Sequence, residues 1–224
     1  MNKKAIIVLF GLLLGLASSQ TYYNNISGKV GNLDFELWKD TGNTQMTLLG
    51  GGSFKCSWSN INNSLFRIGQ KLGCTKYWYE YNGIVLDYAV DYKPNGNSYL
   101  CVYGWFRQPL VEYYIVESWG SWRPPGGTSM GVTYVDDGAY DVYVTTRVNQ
   151  PSIDGNTTFK QYWSVRTTKK TSGQIHVHHH FYNWQQDFGL QIGTVYEVSL
   201  NIEGYQSAGE ATVTKNTLTF NTGD

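Results

Sequence analysis

The sequence predicts an all-β fold, an antiparallel sandwich or jelly roll carrying one helix. Three observations predict it. Short runs of alternating apolar and polar residues recur along the chain, bounded by Gly, Asn, Asp or Pro. Only one window has helical spacing. Aromatic residues make up 16% of the chain and charged residues only 15%, with 18 Tyr and 8 Trp. Such a composition suits pleated, half-buried surfaces, and flat rings also stack on the apolar faces of sugars.

The elements follow in order. The first stretch, "MNKKAIIVLFGLLLGLASSQ", has a basic start, an apolar run from Ala5 to Leu16, and small residues at Ala17 and Ser19. This is the pattern of a secretory signal peptide over residues 1–19, cleaved near Ser19–Gln20. Its apolar run is shorter than the roughly 20 residues of a spanning helix, and no other stretch could cross a bilayer. The expectation is a secreted, extracellular protein with no membrane partner. The alternating runs then read "GSFKCSW", "YLCVYGW", "VEYYIVE", "GAYDVYVTTRV", "TFKQYWSVRT", "QIHVHHHF", "TVYEVSLNIE" and "EATVTKNTLTF". Only "HHHFYNWQQDFGLQIG", running from the end of "QIHVHHHF" up to "TVYEVSLNIE", looks helical: Phe181, Trp184 and Phe188 recur three to four apart and Gly189 makes a stop. No repeat or linker interrupts them, so residues 20–224 read as a single domain, its strands falling between about Gly28 and Asn221.

The formal net charge is zero, which gives no electrostatic case for nucleic acid. The three cysteines, Cys56, Cys74 and Cys101, read as free thiols. A hairpin turn near Ile61–Asn63 would set Cys56 opposite residue 68 rather than Cys74, and no cysteine pair has metal-ligand spacing. The four histidines His176, His178, His179 and His180 have no Asp, Glu or Cys beside them in sequence, so no metal is expected. The plain reading is a strand running into the helix, with one imidazole buried and hydrogen-bonded.

The chemistry lies in the glutamates. "PLVEYYIVESWG" carries Glu112 and Glu117 in a strand, five positions apart. A strand sends successive side chains to opposite faces, so an odd spacing separates the two. Glu112 shares a face with Tyr114 and Val116, and Glu117 with Tyr113 and Ile115. A second carboxylate must come from another strand, and Glu203, ending an apolar run just before Gly204, is the candidate. Two carboxylates on facing strands, in a groove lined with Tyr and Trp, are what glycoside hydrolysis needs.

"GGGSFKCSWSNINNSLFRIGQK", "YLCVYGWFRQPLVEYYIVESWG", "YDVYVTTRVNQPSIDG", "TFKQYWSVR" and "EGYQSAG", in this order, resemble glycoside hydrolase family 11, the small endo-β-1,4-xylanases. The resemblance implies a β-jelly roll of two twisted antiparallel sheets, one helix, and a cleft covered by a thumb loop. It implies a retaining reaction on internal β-1,4 bonds, with Glu112 as nucleophile and Glu203 as acid/base, their carboxyls roughly 5–5.5 Å apart. It implies substrate contacts from Trp38, Asn63, Tyr103, Tyr114, Arg147, Gln161 and Trp163, and from Pro151, Ser152 and Ile153 at the thumb tip. Xylan and xylo-oligosaccharides are the implied partners of a monomer that needs no metal or organic cofactor. An amide at Asn63, able to hydrogen-bond Glu203, implies an optimum of about pH 5.5–7. One position departs from the family pattern. A tyrosine is usual six residues before the acid/base; here Glu197 stands there, with Tyr196 one step earlier. Two rival readings of the fold are a non-catalytic sugar-binding module and a β-jelly-roll endoglucanase.

Overall fold

The structure, a computed structural model, describes residues 19–220. The signal-peptide segment otherwise lies outside the described residues. The N-terminal half contributes β1 (Gln20–Tyr22), β2 (Ile26–Val30), β3 (Leu33–Lys39), β4 (Asn43–Gly50), β5 (Ser53–Ser59) and β6 (Asn63–Lys71). A long β7 (Ile84–Arg107) follows, then β8 (Val111–Trp119), β9 (Gly131–Val135), β10 (Gly138–Ser152), β11 (Gly155–Arg166) and β12 (Ser172–His176). The helix α1 (Val177–Gln186) and a second long strand, β13 (Thr194–Phe220), close the chain.

The two expected sheets are joined. β7 and β13, of 24 and 27 residues, pair along their whole lengths and make one continuous 13-stranded sheet. The runs "TVYEVSLNIE" and "EATVTKNTLTF" are therefore one strand, not two. One half of the sheet hangs β4 and β5 on the C-terminal part of β13; the other half hangs β6 and β3 on its N-terminal part. The change of direction has local causes. The β7–β13 register shifts between Tyr205 and Ala208, where Gln206 adopts φ 46°. Opposite, Gly96 in β7 adopts φ 104°, a conformation in which a side chain would be strained. Pairing is antiparallel except between β8 and β11, which run parallel because the chain returns through β9 and β10 before β11.

The expected hairpin at residues 61–63 is also corrected. β5 and β6 do not pair; each pairs with a different segment of β13, so residues 60–62 carry the chain from one half of the sheet to the other. The N-terminal segment begins earlier than Gly28. β1 pairs with Met46 to Leu48 of β4, and Tyr22 stacks on Phe35 with centroids 5.4 Å apart.

Alternation along the strands makes two apolar surfaces. The larger lies between the two halves and includes Leu37, Phe54, Phe66, Leu86, Val102 and Ile202. α1 covers one end of it. Val177, Phe181 and Trp184 recur on one helical face and are fully buried. Phe181 packs edge-on to Phe106 and Tyr113, and the Trp184 indole donates to Ser164 Oγ at 2.9 Å. Burying each such ring contributes roughly 1.5–3 kcal/mol. The smaller surface lies on the other face of the same strands, and there the aromatics are mostly tyrosines and tryptophans, Tyr99, Tyr103, Trp105, Tyr114, Tyr143 and Trp163, joined by Phe159.

Candidate active site

β8 settles the question of the two glutamates. Glu112 points to the aromatic face; Glu117 points to the other. Glu117 is buried, accepts hydrogen bonds from Tyr88 (2.8 Å) and Tyr140 (2.5 Å), and lies 3.5 Å from Arg166. Burial pushes its carboxyl up, opposed by Tyr140, Tyr88 and the Arg166 charge, and at 1% exposure it serves the core and not a sugar.

Glu112 stands on the aromatic face, 8% exposed, and each of its oxygens is served by a directed chain of donors. An indole N–H can only donate. Trp105 Nε1 donates to the Tyr103 hydroxyl at 2.7 Å, which leaves the Tyr103 proton free to donate to Glu112 Oε1 at 2.8 Å. Trp163 Nε1 donates to Thr145 Oγ1 at 3.0 Å, and Thr145 in turn meets Gln161 Oε1 at 2.9 Å. That fixes the Gln161 amide, whose Nε2 donates to Glu112 Oε2 at 2.6 Å. Burial pushes the Glu112 carboxyl up, while Gln161, Tyr103, Tyr114 and the Arg147 charge pull against it. Burial and the Glu112 charge hold the Tyr103 and Tyr114 phenols well above their ordinary range, so both remain donors.

Glu203 has the opposite surroundings. It is 7% exposed, and its Oε2 has no hydrogen-bond partner within the chain. Burial, then the charge on Glu112, push its pKa to about 8; Arg67, Tyr114 and Arg147 oppose the shift. Tyr114 and Arg147 act on both carboxyls, which places the two groups over one patch of sheet. The backbone holds Glu203 from behind. Ser98 Oγ donates to its carbonyl at 2.6 Å, and the Trp58 indole lies against Gly204, where a Cβ would stand 2.5 Å from Nε1. A glycine after the glutamate is what lets that indole close in.

The other sequence-predicted residues surround this pair. Trp163 stacks flat on Tyr114, centroids 4.0 Å apart and planes 7° apart. Trp38 on β3 is paired with Leu65, which is itself paired with Glu203, so it stands two strands away from the acid. Arg147 is exposed and makes one long contact to Gln150, at 3.4 Å. Pro151 and Ser152 pair with Asn156 and Gly155 at the end of the β10–β11 hairpin. Ile153 turns back onto the aromatic surface, and Arg107 holds the tip by an ion pair to Asp154 at 2.5 Å. Asn63 is on the same side of β6 as Leu65, but no hydrogen bond joins it to Glu203; its Oδ1 also lacks a partner within the chain.

Tyr196 and Glu197 both reach the cleft side, because a register shift between Val195 and Glu197 makes Tyr196 a bulge. Tyr196 packs against the aromatic cluster beneath the Arg107 guanidinium, which is 5.0 Å from its ring centroid. Glu197, 1% exposed, pairs with Arg67 at 2.9 Å and accepts from Ser199 at 2.7 Å. Arg67 also pairs with Glu36 at 2.8 Å and lies over the Tyr103 ring, 4.8 Å from its centroid. Sequence reasoning missed this buried cation. The signal was its phase: Asn63, Leu65 and Arg67 alternate onto one face of β6.

The histidine expectations need correction. His180 is the buried one, but neither ring nitrogen has a partner within the chain; burial pushes its pKa down to about 3, and it packs edge-on to Tyr140. The premise that no acid stands near the others also fails, because the β9–β10 turn brings in Asp136. All three cysteines are free thiols.

The chain is similar in sequence and fold to known proteins. The sequence model described as Glycosyl hydrolases family 11 matches residues 31–214. A protein of Pseudobutyrivibrio xylanivorans described as a bifunctional xylanase/deacetylase is 60% identical over 203 residues, covering 91% of this chain and 34% of that protein. Endo-1,4-beta-xylanase A of Bacillus pumilus is 49% identical, covering 97% of this chain and 98% of its own. The solved structure of the family 11 xylanase from Neocallimastix patriciarum superposes with a TM-score of 0.84 at 40% identity, over 90% of this chain and 99% of that one. The chain thus spans about a third of the length of the P. xylanivorans relative and nearly all of the B. pumilus one.

Proposed function

The chain belongs to family 11 of the glycosyl hydrolases, and we propose on that premise that it is an endo-1,4-β-xylanase acting by a retaining double displacement. The observation that carries the assignment of roles is the asymmetry between two buried carboxyls on one aromatic surface. Glu112 receives a hydrogen bond on each oxygen and is held ready to ionise, whereas Glu203 has an oxygen without a partner and a pKa pushed to about 8. Glu203 protonates the leaving oxygen while Glu112 attacks the anomeric carbon. With the aglycone gone, Glu203 as base activates a water that attacks the same carbon and frees the sugar. Charge supports the cycle in both directions. Ionised Glu112 keeps the proton on Glu203; once Glu112 is esterified that charge disappears, and Glu203 becomes acidic enough to serve as a base.

Xylan and xylo-oligosaccharides are the proposed substrates, with Trp38 and the ring face of the aromatic surface as sugar platforms and Pro151 to Ile153 lying over them. No helix among the described residues is long and apolar enough to cross a membrane. We read the protein as secreted, on the strength of the signal-peptide pattern of its N-terminal segment, and as a monomer, as the family resemblance implies.

The experiment is hydrolysis of xylan and of carboxymethylcellulose across pH. Reducing ends should appear from xylan and not from the cellulose derivative. Activity should rise as Glu112 ionises, above its ordinary value of 4.5, and fall as Glu203 loses its proton near 8. The two titrate as a coupled pair, so kcat/KM should trace one bell with its optimum at about pH 5.5–7. Tight xylan binding with no released reducing ends would favour a binding module, and an optimum below about pH 4 would overturn the assigned roles.

A further inference from the structure

Away from the cleft, the turn between β9 and β10 meets the start of α1. Asp136 occupies that turn with φ 53° and presents its carboxylate to the helix. One oxygen accepts the His176 backbone N–H at 3.0 Å, and the other contacts His176 Nδ1. One helical turn on, the His179 ring lies over His176, centroids 5.1 Å apart and planes 18° apart. A carboxylate oxygen and one nitrogen from each imidazole all lie within 4.8 Å of one another. His178 backs this group, 4.3 Å from the His179 centroid, with its own Nδ1 tied to the Ile84 backbone. The neighbouring acid does not compete, since Asp137 is taken by Lys170 at 2.7 Å and Arg166 at 2.9 Å. No Lys or Arg pairs with Asp136 among the described residues, and its ion-pair partner is the His176 ring. The group is partly open to solvent, so an ion can enter.

We propose that Asp136, His176 and His179 form a surface site for one Zn²⁺ ion, which clamps the β9–β10 turn to the N-terminus of α1. Two imidazoles and a carboxylate are ligands suited to a borderline ion such as zinc and unsuited to Mg²⁺ or Ca²⁺, which take oxygen donors. Three protein ligands leave a fourth tetrahedral position for water. The ligands come from segments about forty residues apart in sequence. An ion that binds the folded chain alone therefore stabilises it by mass action.

The test is calorimetric titration of the purified chain with ZnCl₂ in chelator-free buffer at neutral pH, alongside thermal melts. One Zn²⁺ per chain is expected, with the melting temperature raised by roughly 5–10 °C at a hundredfold excess over the dissociation constant and restored by EDTA. His179→Ala and Asp136→Asn should each weaken binding at least tenfold while leaving the metal-free melting temperature and xylan hydrolysis near those of the parent. The readout does not use xylan, so failure here would leave the xylanase reading untouched. The site is disproved by the absence of heat and melting shift up to millimolar Zn²⁺. It is equally disproved by Zn²⁺ binding that survives both substitutions, or by an equal shift from Mg²⁺.

Discussion

Glu112→Gln is expected to fold, to bind xylan, and to lose more than about 10⁴-fold in kcat, the scale on which removal of a covalent nucleophile acts. The amide keeps the volume and planarity of the carboxyl, so the stacked Tyr114–Trp163 wall has no reason to move. It cannot attack carbon. It also meets two donors, Tyr103 and Gln161, with only one acceptor oxygen, so one hydrogen bond is lost at a cost of about 1–3 kcal/mol. A second consequence separates the nucleophile from a merely structural glutamate. The charge on Glu112 is the second-largest cause of the raised pKa of Glu203. Removing that charge should lower the Glu203 pKa, visible as a shift of its carboxyl titration by NMR. An unchanged Glu203 titration, or activity above a few per cent, would mean that the two groups are not coupled as described.

Glu203→Ala is expected to lose about 10²–10⁴-fold in kcat on xylan, the usual contribution of general acid–base catalysis. The loss should be smaller for the first step with an aryl xyloside whose leaving group departs without a proton. The covalent intermediate should then accumulate, because no base activates water. Azide needs no base and fits the space left by the side chain. It should restore turnover and give the β-xylosyl azide, since a second inversion returns the original configuration. Failure of azide to accelerate the variant, or an α-product, would remove Glu203 from the role of acid/base.

Much of this was legible in the sequence, and the legible part was local. The odd spacing of Glu112 and Glu117 separates them on an alternating strand, and the structure puts one in the aromatic cleft and the other against Tyr88 and Tyr140. The three-to-four spacing of Phe181 and Trp184 gave the helix, which starts at Val177 and places both rings in the core. What alternation could not give was its own interruption. A bulge leaves no mark on a period-two pattern, and the register shift between Val195 and Glu197 is what puts both Tyr196 and Glu197 on the cleft side. Nor does periodicity say whether two strands separated by glycines and polar residues are one; Gly96 and Gln206 bend β7 and β13 without ending them. Partners distant in sequence were the other gap. Arg67 finds Glu36 and Glu197 from three strands, and Asp136 reaches His176 across forty residues, because the sheet order brings them together.

The central claim is that Glu112 and Glu203 act as nucleophile and acid/base of a double displacement, and stereochemistry reads it most directly. Xylohexaose mixed with the enzyme in an NMR tube releases a new reducing end whose anomeric proton reports its configuration before mutarotation blurs it. Two inversions at one carbon predict that the β-anomer appears first and the α-anomer only later, at the rate of spontaneous mutarotation. An α-anomer appearing first would mean a single displacement by water and would contradict the mechanism.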